Sequence, residues 1–449
     1  MIKRVALHTL GCKVNQYDTE AITAQFKAHG YEVVDFDQAG ADVYIINTCT
    51  VTNVSDHKSR QMIRRAHRKN PHAKIVVVGC LAQTDPDSVK GLPGVNLIVG
   101  TDQRSRIVEL VEQIKPDEQG VLVGDILKVR RFEELNAVAF EGRTRAYLKI
   151  QDGCSQYCAY CKVPYARGPS RSRPAASVIE QVAEIVEQGY REIVLTGVHL
   201  GGYGRDLEPP ITLSDIVEQI AAVPGLERVR ISSVDPNEVD AKLIDLVAGN
   251  PKVCRHLHIP LQSGSDLILQ RMRRRYQTAD FRRIVETVRA RVPEVAVTTD
   301  VIVGFPGETP ALFAETYTFL RETAPCKIHV FPYSPRKGTP AAAFPDQVSK
   351  LEKEERSRTL IALSDELGAA FQQQFVGKVV QVLFEREQDG KLVGHTDNYL
   401  QVAVPAGCAS DWLVGAIANV KVVSAAGGQL AGILDSTANF KNGVEGGAK

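Results

Sequence analysis

The chain has 449 residues, of which 44% are hydrophobic and 24% charged, with a formal net charge of +1. That length suits about three domains, and the near-neutral charge excludes a polycation, so any contact with nucleic acid must come from local basic patches. Nine cysteines, an odd number in an enzyme-sized chain, argue against a secreted disulfide framework and for a reducing compartment. No apolar run approaches the roughly 20 residues that span a bilayer, and the N-terminus lacks a signal-peptide pattern. The expected location is the cytoplasm, with no membrane partner.

Residues 1–114 alternate strand and helix patterns. Strands are predicted at 5–9, 31–36, 42–47, 74–79 and 95–99, and helices at 18–29, 55–69 and 104–114. This order implies a doubly wound parallel sheet, whose C-terminal strand ends share the edge where ligands bind. Cys12, Cys49 and Cys80 each follow a strand, which puts all three at that edge. A single such cysteine reads as a small buried hydrophobe. Three at equivalent positions read as the ligands of an iron–sulfur cluster with one iron left open. The helix after Cys49 carries Lys58, Arg60, Arg64, Arg65, Arg68 and Lys69 on about half its wheel. Alone this is a solvated face; beside a metal edge it is a candidate phosphate-binding face. Residues 115–139 read as a linker, with a turn, a strand candidate at 121–127 and a charged stretch.

From 140 to 370 six further strands are predicted, at 146–150, 192–195, 229–232, 256–261, 295–303 and 327–331, with helices between them. Six βα units fall short of a closed eight-stranded barrel. Just after the first of these strands, Asp152-Gly153 leads into Cys154, Cys158 and Cys161. Three thiolates on one short loop hold three corners of a cubane cluster, and no fourth cysteine lies nearby, so one iron stays open for a substrate or cofactor. Zinc wants four ligands, commonly in paired motifs, and the chain offers no second pair. Arg167, Arg171 and Arg173 follow this loop, and Arg271, Arg273, Arg274 and Arg275 cluster later. With the N-terminal helix they favour a polyanionic substrate; Arg60, Arg64, Arg68, Arg171, Arg173 and Arg274 are the candidate RNA contacts. Arg336 and Lys337 are either phosphate contacts or solvated loop charges. Cys254, Cys326 and Cys408 have no partner spacing and read as structural.

The cysteine triplet after a strand resembles the signature of the radical S-adenosylmethionine superfamily, where the open iron is chelated by the cofactor's amino and carboxylate groups. The resemblance implies a six-stranded partial barrel with its active site at the C-terminal strand ends. It also suggests cofactor contacts. Gly197 lies where many members have Gly-Gly-Glu, although this chain has Thr196-Gly197-Val198. Asp300 and Gly304 lie in a segment similar to the glycine-rich adenine-contacting one, with the acid displaced by one position. Gln262 either points its amide at the cofactor or anchors its loop.

Residues 348–371 read as one long amphipathic helix. Short strands at 377–386, 391–396, 400–404 and 418–424, separated by turn residues, then suggest a small OB-like β-barrel over 371–437. Lys378, Arg386, Lys391 and Lys421 are outnumbered there by Glu385, Glu387, Asp389, Asp397, Asp411 and Asp435. Such a module binds RNA through shape, stacking or a local patch. The tail, 438–449, reads as disordered. The expected fold class is α/β: an N-terminal doubly wound parallel sheet, a central partial (β/α)6 barrel and a C-terminal OB-like β-barrel.

The whole arrangement resembles the radical S-adenosylmethionine methylthiotransferase family, with the C-terminal module as its TRAM domain. The carrying motifs are Gly11-Cys12-Lys13-Val14-Asn15-Gln16-Tyr17-Asp18, Asn47-Thr48-Cys49-Thr50, Val78-Gly79-Cys80 and 152–161. The first of these and residues 196–206 look most like the bacterial branch acting on N6-threonylcarbamoyladenosine beside the tRNA anticodon. The resemblance implies two [4Fe-4S] clusters, S-adenosylmethionine, tRNA and a low-potential electron donor such as flavodoxin or ferredoxin. It implies that the Cys154 triad supports formation of a 5′-deoxyadenosyl radical that activates adenine C2, while the Cys12 triad supplies sulfur. Other substrates in the family are isopentenyl-adenosine and a ribosomal-protein aspartate. Outside it stands an RNA-binding protein with structural iron–sulfur centres, although a structural centre gains nothing from an open iron.

Overall fold

The computed structural model describes residues 2–38, 40–115, 118–137, 142–407 and 410–435. Cys408, the tail from 438 and linker residues 138–139 lie outside the described residues. The N-terminal sheet contains β1 (Arg4–Thr9), β2 (Glu32–Val34), β3 (Val43–Thr48), β4 (Lys74–Gly79), β5 (Val95–Val99) and β6 (Gly120–Leu122), in the order β2-β1-β3-β4-β5-β6. All neighbours are parallel. Every residue of β3 is buried, as expected of a strand covered on both faces. On one face Ile45, Val76 and Val78 pack on Ile22 and Phe26 of α1 (Lys13–Ala28). On the other, Tyr44, Ile46 and Val77 pack on Ile63 and Ala66 of α2 (Asn53–Lys69) and on Leu81 of α3 (Cys80–Thr84).

Two differences from expectation shape the edge and extent of this sheet. α1 begins at Lys13 rather than near 18, because the Asn15 amide donates to the carbonyls of Leu10 (2.7 Å) and Thr48 (2.9 Å) and pins the first turn to the sheet edge. β6, within the expected linker, pairs with β5 and extends the sheet.

The central unit is an open barrel of β7 (Arg145–Lys149), β10 (Glu192–Thr196), β11 (Arg228–Ile231), β12 (His256–His258), β13 (Ala296–Val303) and β14 (Lys327–Pro332). Between β7 and β10, the short strands β8 (Gln151–Asp152) and β9 (Arg171–Ser172) pair with each other. The barrel strands form two three-stranded parallel sheets, β11-β10-β7 and β12-β13-β14. A seam joins them: Val229 N–H donates to the Lys252 carbonyl (2.7 Å), Cys254 N–H to that of Val229 (2.9 Å) and Val234 N–H to that of His258 (3.0 Å). Among the described residues β7 and β14 do not pair, so the barrel is open there. The long helix Lys350–Gln373 covers β14, where Ser364 Oγ accepts from Ile328 N–H (3.0 Å).

The C-terminal barrel closes in the order β15-β16-β17-β19-β18, with β15 (Val379–Gln388), β16 (Lys391–Thr396), β17 (Gln401–Pro405), β18 (Ile417–Ala426) and β19 (Gln429–Leu434). The sequence reading has four strands. The fifth, β19, follows a Gly427-Gly428 turn with both residues at positive φ, a hairpin signal. Arginines dock this barrel on the central one. Arg255 Nε donates to Asp397 (2.6 Å), Arg145 pairs with Glu385 (3.1 Å), and Arg230 donates to the carbonyls of Thr396 (3.0 Å) and Asp397 (2.8 Å).

Candidate active site at the barrel lumen

Cys12 is the N-cap of α1, Cys49 follows β3 and Cys80 opens α3. The sheet edge thus assembles the expected triad, and all three cysteines line one cavity. Their approach requires Gly11: φ is +102°, and a Cβ there would lie 2.8 Å from the Cys49 Cβ. The cavity, about 1340 Å³, is the barrel lumen. Inward-facing Tyr147, Arg230, His256, His258, Thr298, Asp300 and His329 form its wall, and Asn398, Tyr399 and Gln401 of the C-terminal barrel close one side.

Cys154, Cys158 and Cys161 cluster beside the lumen rather than among its lining residues. Arg274 Nη1 donates to Cys158 Sγ (3.1 Å) and Nη2 to Asp235 (2.6 Å); the Gln156 N–H donates to Cys154 Sγ (3.4 Å). Burial pushes the Cys80, Cys154 and Cys161 thiols up to about 12, and neighbouring thiols in each set push the same way. Thiolates that repel each other need a cation among them to ionise, which iron supplies. Both triads therefore fit three-ligand cluster sites by their donor chemistry. The loop of the second depends on Gly153, at φ +74°, where a Cβ would sit 2.0 Å from the Pro169 carbonyl oxygen. Gly153→Ala is expected to lose this cluster alone, so that reconstituted protein carries about half the iron and cleaves no S-adenosylmethionine; iron and sulfide analysis with a cleavage assay checks it.

A buried charge network ties the first triad's motif to Asp152 on β8, the strand that leads into the second triad's loop. Asp18 accepts from Arg104, Lys149 and Arg167 (2.8 Å for Arg167), and Asp152 accepts from Arg167 through both carboxylate oxygens (2.9 and 3.0 Å). Arg167 Nη2 also donates to Asn15 Oδ1 (2.6 Å), and the guanidinium faces Cys80. Burial pushes the Asp152 carboxyl up, but Arg167, Lys149 and Arg104 together outweigh it and hold the group well below the ordinary carboxylate range. Asp18 is held down in the same way.

Of the four expected cofactor contacts, Gly197 and Asp300 line the lumen. Gln262 and Gly304 do not. The Gln262 backbone, at φ +69°, donates to the Asp300 carbonyl (2.8 Å), and Gly304 N–H donates to Glu308 (2.6 Å). The arginines divide. Arg64 and Arg68 are exposed on α2, and Arg60 meets Asp85 (3.5 Å). Arg171 and Arg173 are 2% and 1% exposed and face no solvent. Arg171 donates to the carbonyls of Arg167 and Pro169, and Arg173 to Glu134, Asn136 and Gln181. The expected RNA contacts at Arg171, Arg173 and Arg274 are thus corrected to internal partners. Arg336 is likewise buried, pairing with Asp56 (2.5 Å) and donating to Thr50 (2.7 Å) beside Cys49.

Sequence reasoning missed Lys13, Asn15, Asp18 and Tyr399 as site residues. The first three stand in the motif after Gly11, where spacing marks the cysteine but not its neighbours. Lys13 is half-buried at the lumen, and desolvation lowers its pKa. Arg145 and Arg230 lie over the Tyr399 ring at 5.2 and 4.5 Å, a cation–π arrangement.

Residues 4–100 match the family described as "Uncharacterized protein family UPF0004", 148–320 the radical SAM superfamily and 373–434 the TRAM domain. The threonylcarbamoyladenosine tRNA methylthiotransferase MtaB of Bacillus subtilis is 46% identical over 427 residues, covering 94% of each chain. Its namesake in Thermotoga maritima is 38% identical, covering 89% of this chain and 91% of that one. The tRNA-2-methylthio-N(6)-dimethylallyladenosine synthase of Clostridium novyi is 35% identical, covering 94% of each. Among solved structures, the radical S-adenosylmethionine methyltransferase TsrM from Kitasatospora setae shares the fold, with a TM-score of 0.56 at 18% identity over 76% of this chain and 74% of that one. With its three domains matched in order and such relatives spanning nearly its whole length, the chain belongs to the radical S-adenosylmethionine methylthiotransferase family, in the MtaB-like branch.

Proposed function

We propose that the protein converts N6-threonylcarbamoyladenosine beside the tRNA anticodon to its 2-methylthio derivative. The observation that carries this reading is one cysteine triad lining a lumen large enough for a modified base, with a second triad clustered beside that lumen. The degree of likeness to the MtaB proteins supports this nucleoside over the dimethylallyl one.

Cys154, Cys158 and Cys161 hold the cluster that binds S-adenosylmethionine, and Cys12, Cys49 and Cys80 hold the auxiliary cluster. Bound there, these groups supply the one-electron chemistry that activates adenine C2 and the sulfur and methyl that replace its hydrogen. The chain's own residues orient and enclose. Gly197 and Asp300 contact the cofactor from the barrel strand ends. The lumen wall shields the reacting carbon from water. Arg274 donates to the Cys158 sulfur, an outer-shell contact that tunes a cluster. Arg64 and Arg68, with Arg60, meet RNA phosphates, and the C-terminal barrel grips the anticodon stem-loop by shape, since its charge is not basic. An anticodon-loop base is unpaired, so presenting it costs less than extracting one from a duplex. The reaction takes electrons from a low-potential donor such as flavodoxin or ferredoxin and takes place in the cytoplasm.

The test is an anaerobic assay of reconstituted protein, with a chemical reductant and S-adenosylmethionine, on anticodon stem-loops bearing either N6-threonylcarbamoyl- or N6-dimethylallyladenosine. Methylthiolation of the first is expected. Methylthiolation of the second alone would overturn the substrate assignment.

A further inference from the structure

The charged side chains lining the lumen are Lys13, Arg167, Arg230, Asp300, Lys327 and Asp365. All but one meet an opposite or titratable partner. Arg167 pairs with Asp18 (2.8 Å), Arg230 with Glu192 (2.7 Å), Lys327 with Asp365 (3.4 Å), and Asp300 meets His258 (3.1 Å). Lys13 is the exception. Among the described residues no carboxylate lies within ion-pair distance of it and no hydrogen bond ends on its ammonium. The groups that act on it from further off are Tyr399, Arg145, Arg230 and Glu192; the one carboxylate among them, Glu192, is already paired with Arg230 (2.7 Å), and Arg145 with Glu385 (3.1 Å). A half-buried ammonium without a counter-charge is costly unless something brings one.

The position says what could bring it. Lys13 directly follows Cys12, so its ammonium shares one end of the lumen with the first cysteine triad. In adenine, C2 and the carbon bearing N6 both flank N1. A substituent on N6 therefore lies along the same edge as the carbon that reacts at that triad. The threonylcarbamoyl substituent ends in a free carboxylate; a dimethylallyl group is apolar and has nothing to offer an ammonium. We propose that Lys13 binds the carboxylate of the threonylcarbamoyl group and thereby selects this nucleoside over one whose N6 substituent is neutral. The inference rests on the threonylcarbamoyladenosine reading above. A charge-assisted hydrogen bond in a partly desolvated site is worth about tenfold to hundredfold in discrimination.

The experiment compares reconstituted wild type, Lys13→Gln and Lys13→Arg on two stem-loops, one carrying N6-threonylcarbamoyladenosine and one its neutral methyl ester. Iron content and cofactor cleavage are measured in parallel. Wild type is expected to favour the carboxylate about tenfold to hundredfold in kcat/KM, chiefly through KM. In K13Q that ratio should fall towards one, and K13R should keep most of it. If K13Q loses rate equally on both stem-loops, or loses iron with the ratio intact, Lys13 serves the cluster or the fold and the proposal is overturned. If wild type methylthiolates neither stem-loop, the substrate reading itself has failed, and the inference with it.

Discussion

Replacing Arg167 with methionine is expected to destabilise the chain by about 3–5 kcal/mol, the cost of breaking a buried ion network by removing one partner. Arg167 is 1% exposed and contacts Asp18, Asp152 and Asn15, which lie on both sides of the junction between the N-terminal sheet and the barrel. Without it, two carboxylates that are each 3% exposed or less at the side chain keep Arg104 and Lys149 but lose the guanidinium that bridges them. Methionine fills the space without meeting either charge. Loss should appear as earlier denaturant unfolding and as faster amide exchange in α1 and in the loop after Asp152. Both carboxyls are held below their ordinary values, so their contribution is complete above about pH 4. It is lost as pH falls through the lowered values, because protonation then removes the paired charge. The wild-type junction should therefore hold from neutral pH to about pH 4 and loosen only below it. No change in α1 exchange in the variant would contradict the network's role.

The second large effect separates the triads. Cys158→Ala is expected to abolish both cleavage of S-adenosylmethionine and methylthiolation. Cys49→Ala is expected to keep cleavage and lose methylthiolation to background. The geometry assigns the difference. Cys49 lines the lumen with Cys12 and Cys80, whereas Cys158 lies beside it and accepts from Arg274. A cluster with two thiolates in place of three is not held, and each triad is complete without the other's cysteines. Cleavage is read as 5′-deoxyadenosine by chromatography. Methylthiolation by C49A at the wild-type rate would show that the first triad supplies no sulfur.

Much of this site was legible in the sequence because it is written in local spacing. Cys154, Cys158 and Cys161 share one short loop, and Cys12, Cys49 and Cys80 each follow an apolar strand that the sheet aligns. The barrel strands fell where buried apolar runs end, within one or two residues for β7, β10, β11 and β14. What was not legible depends on distant partners. Arg173 meets Glu134 and Asn136, Arg274 meets Asp235, and Arg336 meets Asp56 across 280 positions. A clustered arginine looks the same in sequence whether a phosphate or a buried carboxylate awaits it. Lys13 escaped for the opposite reason: its distinction is a missing partner, which appears only once every neighbour has been placed. The start of α1 was likewise not legible, because it is set by the bonds Asn15 makes to the carbonyls of Leu10 and Thr48 at the sheet edge.

The most direct test is nucleoside analysis of bulk tRNA by mass spectrometry, from cells with and without this gene. Loss of 2-methylthio-N6-threonylcarbamoyladenosine, with accumulation of its unthiolated parent, is the predicted result. An untouched level of that nucleoside, with another methylthio product lost instead, would contradict the account.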